Sequence, residues 1–349
     1  MRDKIFPLFF TPQDRPAGVE DGLTLEDIEE PEIFVDNLEI PWELVFLTDQ
    51  EMLVTERPGR VLFIGEGSEE YVIDEVDHIG EGGLLGMVKH PDFEENGYLY
   101  IYMTTDVDNR VKRYIFDDGE LVEDRTIIDN IPVARFHNGG RIKFGPDGYL
   151  YITTGDAQET ALSQDRDSLA GKILRITDQG EIPEDNPFDT EIYSYGHRNP
   201  QGITWDNEGR LWSTEHGPRA RDELNLIESG KNYGWPEIVG DEEEEGMETP
   251  VLQSGDDYTW APSGAVFWDG SIFFTGLRGS AIYEARIDNG DVDDFLIHFK
   301  EDFGRMRTIS EGPDGMFYVL TNNTDGRGTP GENDDKIIKI NPDIFRIND

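Results

Sequence analysis

One short pattern recurs along the chain and constrains its fold more than any other feature. It consists of a turn residue, a spacer, and then alternating apolar and aromatic residues. Successive copies begin 47, 51, 61, 61 and 45 residues apart. The copies, of which the first is degenerate, are Gln50-Glu51-Met52-Leu53, Gly97-Tyr98-Leu99-Tyr100, Gly148-Tyr149-Leu150-Tyr151, Gly209-Arg210-Leu211-Trp212, Gly270-Ser271-Ile272-Phe273 and Gly315-Met316-Phe317-Tyr318. Periods of about 40–50 residues built from short strands are typical of propeller blades. The sequence therefore predicts an all-β, six-bladed β-propeller with four-stranded antiparallel blades.

Tight turns precede three of the copies, at residues 145–148, 206–209 and 312–315. Within such turns Pro fixes φ, and Gly takes the positive φ that starts the next strand. The two steps of 61 residues indicate insertions between about residues 149 and 269, and loops of this kind often carry function. We also expect the last strand, Ile337–Ile340, to pair with an early strand near Ile33 and close the ring, which removes exposed sheet edges.

The domain organisation follows from the same pattern. Residues 1–32 are predicted to form an acidic, Pro-containing leader, and residues 33–349 a single propeller domain. An array of β-sandwiches is the alternative, and it is disfavoured because no helix-period stretch or linker divides the chain. The first ten residues hold two basic residues and a short apolar patch, which is weaker than a secretory signal. No apolar run approaches the roughly 20 residues of a membrane span, so no membrane insertion is expected.

The charge balance excludes several partners. The formal net charge is −45, so neither nucleic acid nor an anionic membrane surface should attract the protein. The chain is either an ordinary acidic protein or one adapted to high salt, where screening relaxes repulsion between surface carboxylates. We favour the halophilic interpretation because the charge is extreme. There is no Cys, which excludes disulfides, so cysteine usage does not indicate whether the protein works in an oxidising or a reducing compartment.

Polar motifs lie just before or after the repeated strands. In a propeller, loops at strand ends converge on one face around the central channel. We therefore expect these segments to form one site. They are residues 136–141 (FHNGGR), 154–156 (TGD), 196–202 (GHRNPQG), 215–218 (EHGP), 222–225 (DELN) and 232–236 (NYGWP).

These motifs resemble the soluble quinoprotein sugar dehydrogenases, the glucose/sorbosone dehydrogenase family. The resemblance covers about residues 40–340 and includes residues 82–86 (GGLLG), 90–93 (HPDF) and 169–175 (LAGKILR). It implies a six-bladed propeller, in agreement with the repeat count. It also implies oxidation of aldose sugars at C1 to aldonolactones, with pyrroloquinoline quinone (PQQ) and calcium as cofactors and an unidentified external electron acceptor. An extracellular or periplasmic location is favoured by the resemblance alone.

The resemblance implies catalytic roles for three residues. His137 corresponds to the general base, which takes the proton of the anomeric hydroxyl while hydride leaves the sugar carbon for the quinone. Asp156 corresponds to the carboxylate that orients this His, and Arg198 to the cation that polarises the quinone carbonyl. Structural roles stay open for all three on the residues alone: a capping His, a turn Asp and an Arg in a buried ion pair.

Cofactor ligands are implied in the same way. The quinone carries three carboxylates, and Arg suits their bidentate recognition. Two surface arginines paired with nearby acidic residues are the alternative interpretation of the Arg-x-Arg pair at 305 and 307. The implied cofactor-binding residues are Arg198, Asn199, Arg278, Arg305, Arg307, Thr259, Gln164 and Glu81.

Calcium binds oxygen ligands, including backbone carbonyls. Gly217 and Pro218 correspond to the pair whose carbonyls hold the cofactor's calcium, although a plain tight turn is the alternative. Glu223 and Tyr233 correspond to a second, structural calcium site.

Three positions depart from some relatives. Arg278 stands where some carry Lys, and Glu81 where some carry Gln. Phe136 replaces an acidic residue of the best-known glucose enzymes, which favours broad aldose use.

Two other functions stay open: a metal-dependent sugar lactone hydrolase, which the same fold can host, and a non-catalytic binding module.

The charge generates a first prediction. With 75 acidic against 30 basic residues, folding should strengthen as salt screens repulsion between surface carboxylates. The melting temperature, measured by circular dichroism from low to molar KCl, is expected to rise. A flat or falling curve would indicate an ordinary acidic protein whose charges are already compensated locally.

Overall fold

The computed structural model describes residues 30–346. It contains six four-stranded sheets in which every neighbouring pair is antiparallel. The predicted six-bladed β-propeller is confirmed. The predicted leader lies almost entirely outside the described residues, and the first strand begins at Glu32. In the part of the chain that is described, no helix is long and apolar enough to cross a membrane.

The blades follow one another along the chain. The first strand, β1 (Glu32–Val35), belongs to the last blade. Blade one contains β2 (Pro41–Phe46), β3 (Met52–Glu56), β4 (Arg60–Ile64) and β5 (Ser68–Val72). Blade two contains β6 (Leu84–Lys89), β7 (Tyr98–Thr104), β8 (Asn109–Asp117) and β9 (Glu120–Ile131). Blade three contains β10 (Ile142–Phe144), β11 (Leu150–Thr154), β12 (Lys172–Ile176) and β13 (Ile192–Tyr195).

The remaining blades have the same order. Blade four contains β14 (Pro200–Trp205), β15 (Leu211–Glu215), β16 (Glu223–Ile227) and β17 (Leu252–Gln253). Blade five contains β18 (Pro262–Trp268), β19 (Ser271–Gly276), β20 (Ala281–Asp288) and β21 (Asp291–His298). Blade six contains β22 (Met306–Glu311), β23 (Phe317–Thr321), β24 (Ile337–Ile340) and β1. Among residues 30–346, the helices are the single turn α1 (Phe93–Asn96) and 3₁₀ segments at Thr160–Ser163, Pro187–Asp189 and Pro342–Arg346.

The sequence repeat marks the second strand of each blade. In three blades its aromatic residue also bonds back to the turn before the strand. Tyr151 donates its hydroxyl hydrogen bond to Asp147 over 2.9 Å, and Tyr318 donates to Asp314 over 3.0 Å. Trp212 makes the equivalent indole bond, of 2.9 Å, to Asp206. In these three blades the repeat therefore combines a turn, a strand start and a side-chain hydrogen bond that joins them.

The core lies between the blades. Six apolar clusters fill the interfaces of the ring, each built mainly from the facing sides of two neighbouring blades. For example, Phe273 of blade five packs with Phe317 of blade six at 5.4 Å between ring centroids. A single blade has no other surface on which to bury these faces, so closure of the ring completes the core.

Antiparallel pairing also determines where the site forms. The start of each first strand lies beside the end of the second, as in the pairs Pro200 with Glu215 and Pro41 with Glu56. Loops that enter first strands and loops that leave second strands therefore meet at one end of the propeller, which we call the upper end. The insertion at residues 155–171 follows β11 at this end. The insertion at residues 228–251 begins at the opposite end and extends to the upper end, where Trp235 contacts Asp156.

Strand β1 closes the ring by pairing with β24, as the sequence predicts. Ile33 lies opposite Ile338, and Glu32 opposite Lys339. The two isoleucines differ in environment, since Ile338 is 2% exposed and Ile33 is 58% exposed.

This difference generates a second prediction. Ile338→Ala should lower the free energy of unfolding by about 2–5 kcal/mol, because it removes buried methyl groups and leaves a cavity. Ile33→Ala, the matched control in the same pair, should change it by about 0.5 kcal/mol or less. Urea denaturation at fixed KCl measures both. Equal losses of unfolding free energy in the two variants would show that burial does not determine how much each isoleucine of this pair stabilises the fold.

Candidate active site

A buried arginine lies at the base of the site, on the propeller axis. Arg141 pairs with Glu43 and donates to Thr308 Oγ1 over 3.1 Å, and its Nε donates to the carbonyl of Gln201 over 2.9 Å. Its guanidinium also stacks over Trp42 at 4.0 Å. These partners come from blades one, four and six, so one cation joins the innermost strands and forms a polar floor.

Above this floor, a His–Asp pair joins two loops of blade three. His137 Nδ1 lies 2.7 Å from Asp156 Oδ1, and Asp156 is fully buried. The same carboxylate accepts the Gln158 backbone N–H over 2.8 Å and the Trp235 indole N–H over 2.9 Å. The His137 side chain is 20% exposed. This places a partly accessible imidazole against a carboxylate whose position is fixed by three contacts, and leaves Nε2 for another partner.

The loop before β14 supplies Arg198 and Asn199. Arg198 Nη1 donates to the carbonyl of His216 over 3.1 Å, and its guanidinium lies 5.3 Å from the Trp235 ring. Burial lowers the pKa of Arg198, although neighbouring carboxylates such as Asp156 oppose that shift. Asn199 accepts the Gly139 N–H over 3.0 Å, which ties this loop to the one that carries His137.

Glu215 and His197 hold that loop from below. The Glu215 carboxylate accepts the Arg198 and Asn199 backbone N–H groups, and its other oxygen lies 2.8 Å from His197 Nδ1. His197 is fully buried and stacks on Tyr233 at 4.8 Å. His197 therefore supports the loop, and the polar end of Arg198 is left at the site.

Blade six brings two buried arginines to the site. Arg305 is paired with Asp325, its Nη2 lying 2.6 Å from Oδ2. Arg307 donates instead to two neutral amides, Gln201 over 2.6 Å and Asn322 over 3.3 Å. Within residues 30–346, no carboxylate lies within ion-pair distance of Arg307.

The electrostatic environment of Arg307 is unusual. Burial lowers its pKa to about 9, and the positive charges of Arg57 and Arg305 add to that effect. Arg57 is itself 3% exposed, and burial lowers its pKa as well. Buried cations are normally paired. A cluster in which one arginine has only amide partners is chemically matched to an anionic ligand.

Asp222 joins blades four and five at the upper end. One oxygen accepts the Gly217 N–H over 2.9 Å. The other accepts the Thr259 hydroxyl over 2.7 Å and the backbone N–H groups of Trp260 and Ala261. The loop at Gly217 is tight, since a Cβ there would lie 2.1 Å from the carbonyl oxygen of Ala220. The carbonyls of Gly217 and Pro218 accept no hydrogen bond from the described residues.

Glu223 is a half-buried carboxylate without a cationic partner in the part of the chain that the structure describes. It accepts the Gly240 N–H and the Asn225 side-chain amide, each over 3.1 Å. Burial and the neighbouring charge of Glu215 raise its pKa to about 8. The side-chain oxygen of Asn225 is buried and has no hydrogen-bond partner among the described residues. These oxygens offer ligands of the kind that calcium prefers.

The family described as glucose/sorbosone dehydrogenase matches residues 38–333. The chain belongs to this family. It is 33% identical over 360 residues to the aldose sugar dehydrogenase YliI of Escherichia coli, covering 89% of this chain and 92% of that protein. The family recognised from the sequence is confirmed.

Two solved structures are similar along most of the chain. The PQQ-bound aldose sugar dehydrogenase of Streptomyces coelicolor is 37% identical, with a TM-score of 0.83, covering 89% of this chain and 97% of that chain. The soluble aldose sugar dehydrogenase of Escherichia coli, in its apo form, is 31% identical with a TM-score of 0.78, covering 90% and 99%.

Most residues that the family resemblance singles out lie at the upper end, in loops that enter first strands or leave second strands. Arg278 is exposed in the turn between β19 and β20. Gln164 exchanges hydrogen bonds with Asn232, at 3.0 and 2.8 Å, and donates to the Trp235 carbonyl over 2.7 Å, so its side chain holds the 228–251 insertion in place. Tyr233 donates its hydroxyl to the Leu226 carbonyl, which leaves only its backbone oxygen as a possible metal ligand.

Glu81 lies against the backbone of His137. Its Oε2 accepts the His137 N–H over 3.1 Å, and its Oε1 lies 2.6 Å from Arg327 Nη1. Burial alone would raise its pKa, but the charges of His216 and Arg327 outweigh that effect and lower it to about 2. The carboxylate is therefore ionised near neutral pH.

The fold also brings to this site several residues for which the sequence predicts no role. His216 is one, because its buried Nε2 has no hydrogen-bond partner among the described residues, and burial lowers its pKa to about 4. The EHGP and NYGWP motifs contained the signal for His216 and for Trp235. No local signal marked Gln201 as the partner of Arg307, or Asp325 as the partner of Arg305.

Proposed function

We propose that the protein oxidises aldose sugars at C1 to aldonolactones, with PQQ and calcium as cofactors, and passes the electrons to an external acceptor. The observation that carries this proposal is the buried Arg307, which has only neutral partners and lies in the same upper-end site as the His137–Asp156 pair. Membership of the family and likeness to a PQQ-bound aldose sugar dehydrogenase support it.

The residues present fit a tricarboxylate cofactor. Arg307 provides a buried guanidinium whose charge no described carboxylate neutralises. Arg305 lies two residues before it in the chain. Asp325 occupies one side of Arg305, so Arg307 is the stronger anion ligand of the two. The exposed Arg278, together with Asn199, Thr259 and Gln164, would complete or support the pocket. When bound, the quinone would accept the two electrons that leave the sugar with its C1 hydrogen.

His137 acts as the general base. Its Nε2 removes the proton of the anomeric hydroxyl, because Nδ1 is held by Asp156 at 2.7 Å. As the imidazole becomes charged, the buried carboxylate of Asp156 stabilises it. The two other donors to Asp156 keep that carboxylate from rotating, so the imidazole stays in one orientation.

Arg198 provides the electrophilic group. Its guanidinium is fixed between the His216 carbonyl and the Trp235 ring and keeps donors for a ligand. A fixed cation at this position stabilises negative charge that develops on an oxygen during reaction. Because the loop is anchored from below by Glu215, little reorganisation is needed when charge develops.

Calcium would be held at two places. The carbonyls of Gly217 and Pro218, which accept no hydrogen bond from described residues, would bind the cofactor's ion. Glu223, with the backbone oxygen of Tyr233, would bind a second, structural ion beside the buried side-chain oxygen of Asn225. A bound cation at Glu223 would neutralise a half-buried carboxylate that has no cationic partner among residues 30–346.

The structure gives little support to the two other functions. A lactone hydrolase of this fold needs a carboxylate and Asn cluster on a metal, and it has no need of the arginines that gather here, Arg198, Arg305 and Arg307. A binding module would have no use for a buried cation beside an ordered His–Asp pair. Phe136, which lies next to the base, favours acceptance of several aldoses over strict glucose specificity.

Reconstitution tests the proposed function directly. Purified apoprotein mixed with calcium, PQQ and an aldose should reduce an artificial dye, and omission of either cofactor should stop the reaction. NAD should not replace the quinone. Turnover in metal-free, quinone-free protein would contradict the proposal.

His137→Ala should lower kcat by about 10²–10⁴-fold, because it removes general-base assistance. Quinone affinity, measured by calorimetry, should stay near that of the parent, since the arginine cluster is untouched. Turnover at the parental rate would mean that the base lies elsewhere.

Arg307→Met and Arg198→Met should separate binding from chemistry. Loss of Arg307 should weaken quinone binding about 30-fold or more, since removal of one partner of a buried charge pair costs about 2–5 kcal/mol. Its dye-linked rate should recover partly at saturating quinone. Arg198→Met should lose turnover even when the cofactor is saturating. Parental quinone affinity in Arg307→Met would show that the carboxylate pocket has been misplaced.

A further inference from the structure

A loop of blade six contacts the residues around His137, the proposed general base. This loop joins β23 to β24 and carries Arg327, whose Nη1 lies 2.6 Å from Glu81 Oε1. Glu81 belongs to blade two, and its second oxygen accepts the backbone N–H of His137 over 3.1 Å. One carboxylate therefore connects Arg327 with the residue proposed as the general base, 190 positions away in the sequence.

The backbone of His137 depends on such contacts. Its φ is 63°, in the left-handed region that a residue with a Cβ rarely adopts. Conformations of this kind persist where the surroundings over-determine them. Here the contacts on the backbone are the N–H bond to Glu81 and a 3.2 Å bond from the Ala157 N–H to the His137 carbonyl. The bond to Glu81 is thus one of two that hold the peptide groups on either side of the imidazole.

Arg327 is itself held in position. Its backbone N–H donates to Asp325 Oδ1 over 2.8 Å, and the other oxygen of Asp325 is bound by Arg305. Its guanidinium also lies 5.1 Å from the ring of Phe136, the residue before His137. Arg327 therefore contacts the His137 loop twice, through Glu81 and through Phe136, although its side chain is 51% exposed.

We propose that Arg327 is a positioning residue for His137, acting through Glu81. It fixes the carboxylate that holds the His137 N–H, and so keeps the imidazole aligned with Asp156. The expected effect on catalysis rests on the proposed function, whereas the expected effect on the position of His137 does not. An exposed ion pair often contributes little. This pair differs because the Glu81 side chain is only 18% exposed, and loss of Arg327 would leave its carboxylate free to turn from the His137 N–H toward water.

Three variants test the proposal: Arg327→Gln, Arg327→Lys and the control Arg125→Gln. Arg125 is a matched control because it is 53% exposed, forms an ion pair with Asp124 and lies on β9, the outermost strand of blade two. In apoprotein, the His137 amide proton resonance reports the hydrogen bond to Glu81. We expect it to move in Arg327→Gln, to return toward the parental position in Arg327→Lys, and to stay unchanged in Arg125→Gln. An unmoved resonance in Arg327→Gln overturns the proposal.

Kinetics of the reconstituted enzyme test the consequence for catalysis. Arg327→Gln should lower kcat about 10- to 100-fold, because small misplacements of a catalytic group are costly, while quinone affinity stays unchanged. Arg327→Lys should recover part of the loss, and Arg125→Gln should match the parent. A parental kcat in Arg327→Gln overturns the proposal even if the resonance has moved. If the parent itself oxidises no aldose, the proposed function fails, and the resonance alone decides whether Arg327 positions His137.

Discussion

The Arg141–Glu43 ion pair at the axis is the interaction on which the rest of the site depends. A buried pair of this kind gains little net stability, because desolvation of both charges offsets their attraction. Its value lies in connectivity, since Arg141 reaches blades one, four and six from blade three. Gln201 extends that connection upward: its carbonyl accepts from Arg141, and its side chain accepts from Arg307. The position of the proposed cofactor arginine is therefore set by the floor of the channel.

The chain separates its charges in space. Its surface carries a large excess of carboxylates, whereas the axis and the site mouth gather buried arginines such as Arg57, Arg141 and Arg307. Long-range attraction cannot draw an anionic cofactor toward a protein of net charge −45, so its affinity must come from short-range, desolvated pairing. Such pairing would keep its strength in the high salt that the charge predicts, because buried pairs are screened much less than exposed ones.

Much of this architecture could be predicted from the sequence, and the limit has a physical cause. The repeat identified the second strand of every blade because turn chemistry and alternating burial act on neighbouring residues. The motifs that contain His137 and Arg198 were expected to lie together because strand ends of a propeller converge, and the resemblance to the family singled out these two residues within them. The links from Arg327 to Glu81 and from Arg305 to Asp325 were not predicted. Arg327 meets Glu81 because closure of the ring brings blade six near blade two, and Arg305 meets Asp325 because β22 pairs with β23. No local pattern in these loops marks the partners.

Closure by β1 and β24 also has a consequence for synthesis of the protein. The first strand of the fold pairs with the last, about 300 residues later in the chain. At a translation rate of about 5–20 residues per second, β1 waits roughly 15–60 s for its partner. Throughout that time a growing row of blades exposes the apolar face that blade six will cover, and an open strand edge accompanies it. The propeller is therefore completed only after blade six has been synthesised, and until then the nascent protein is exposed to aggregation.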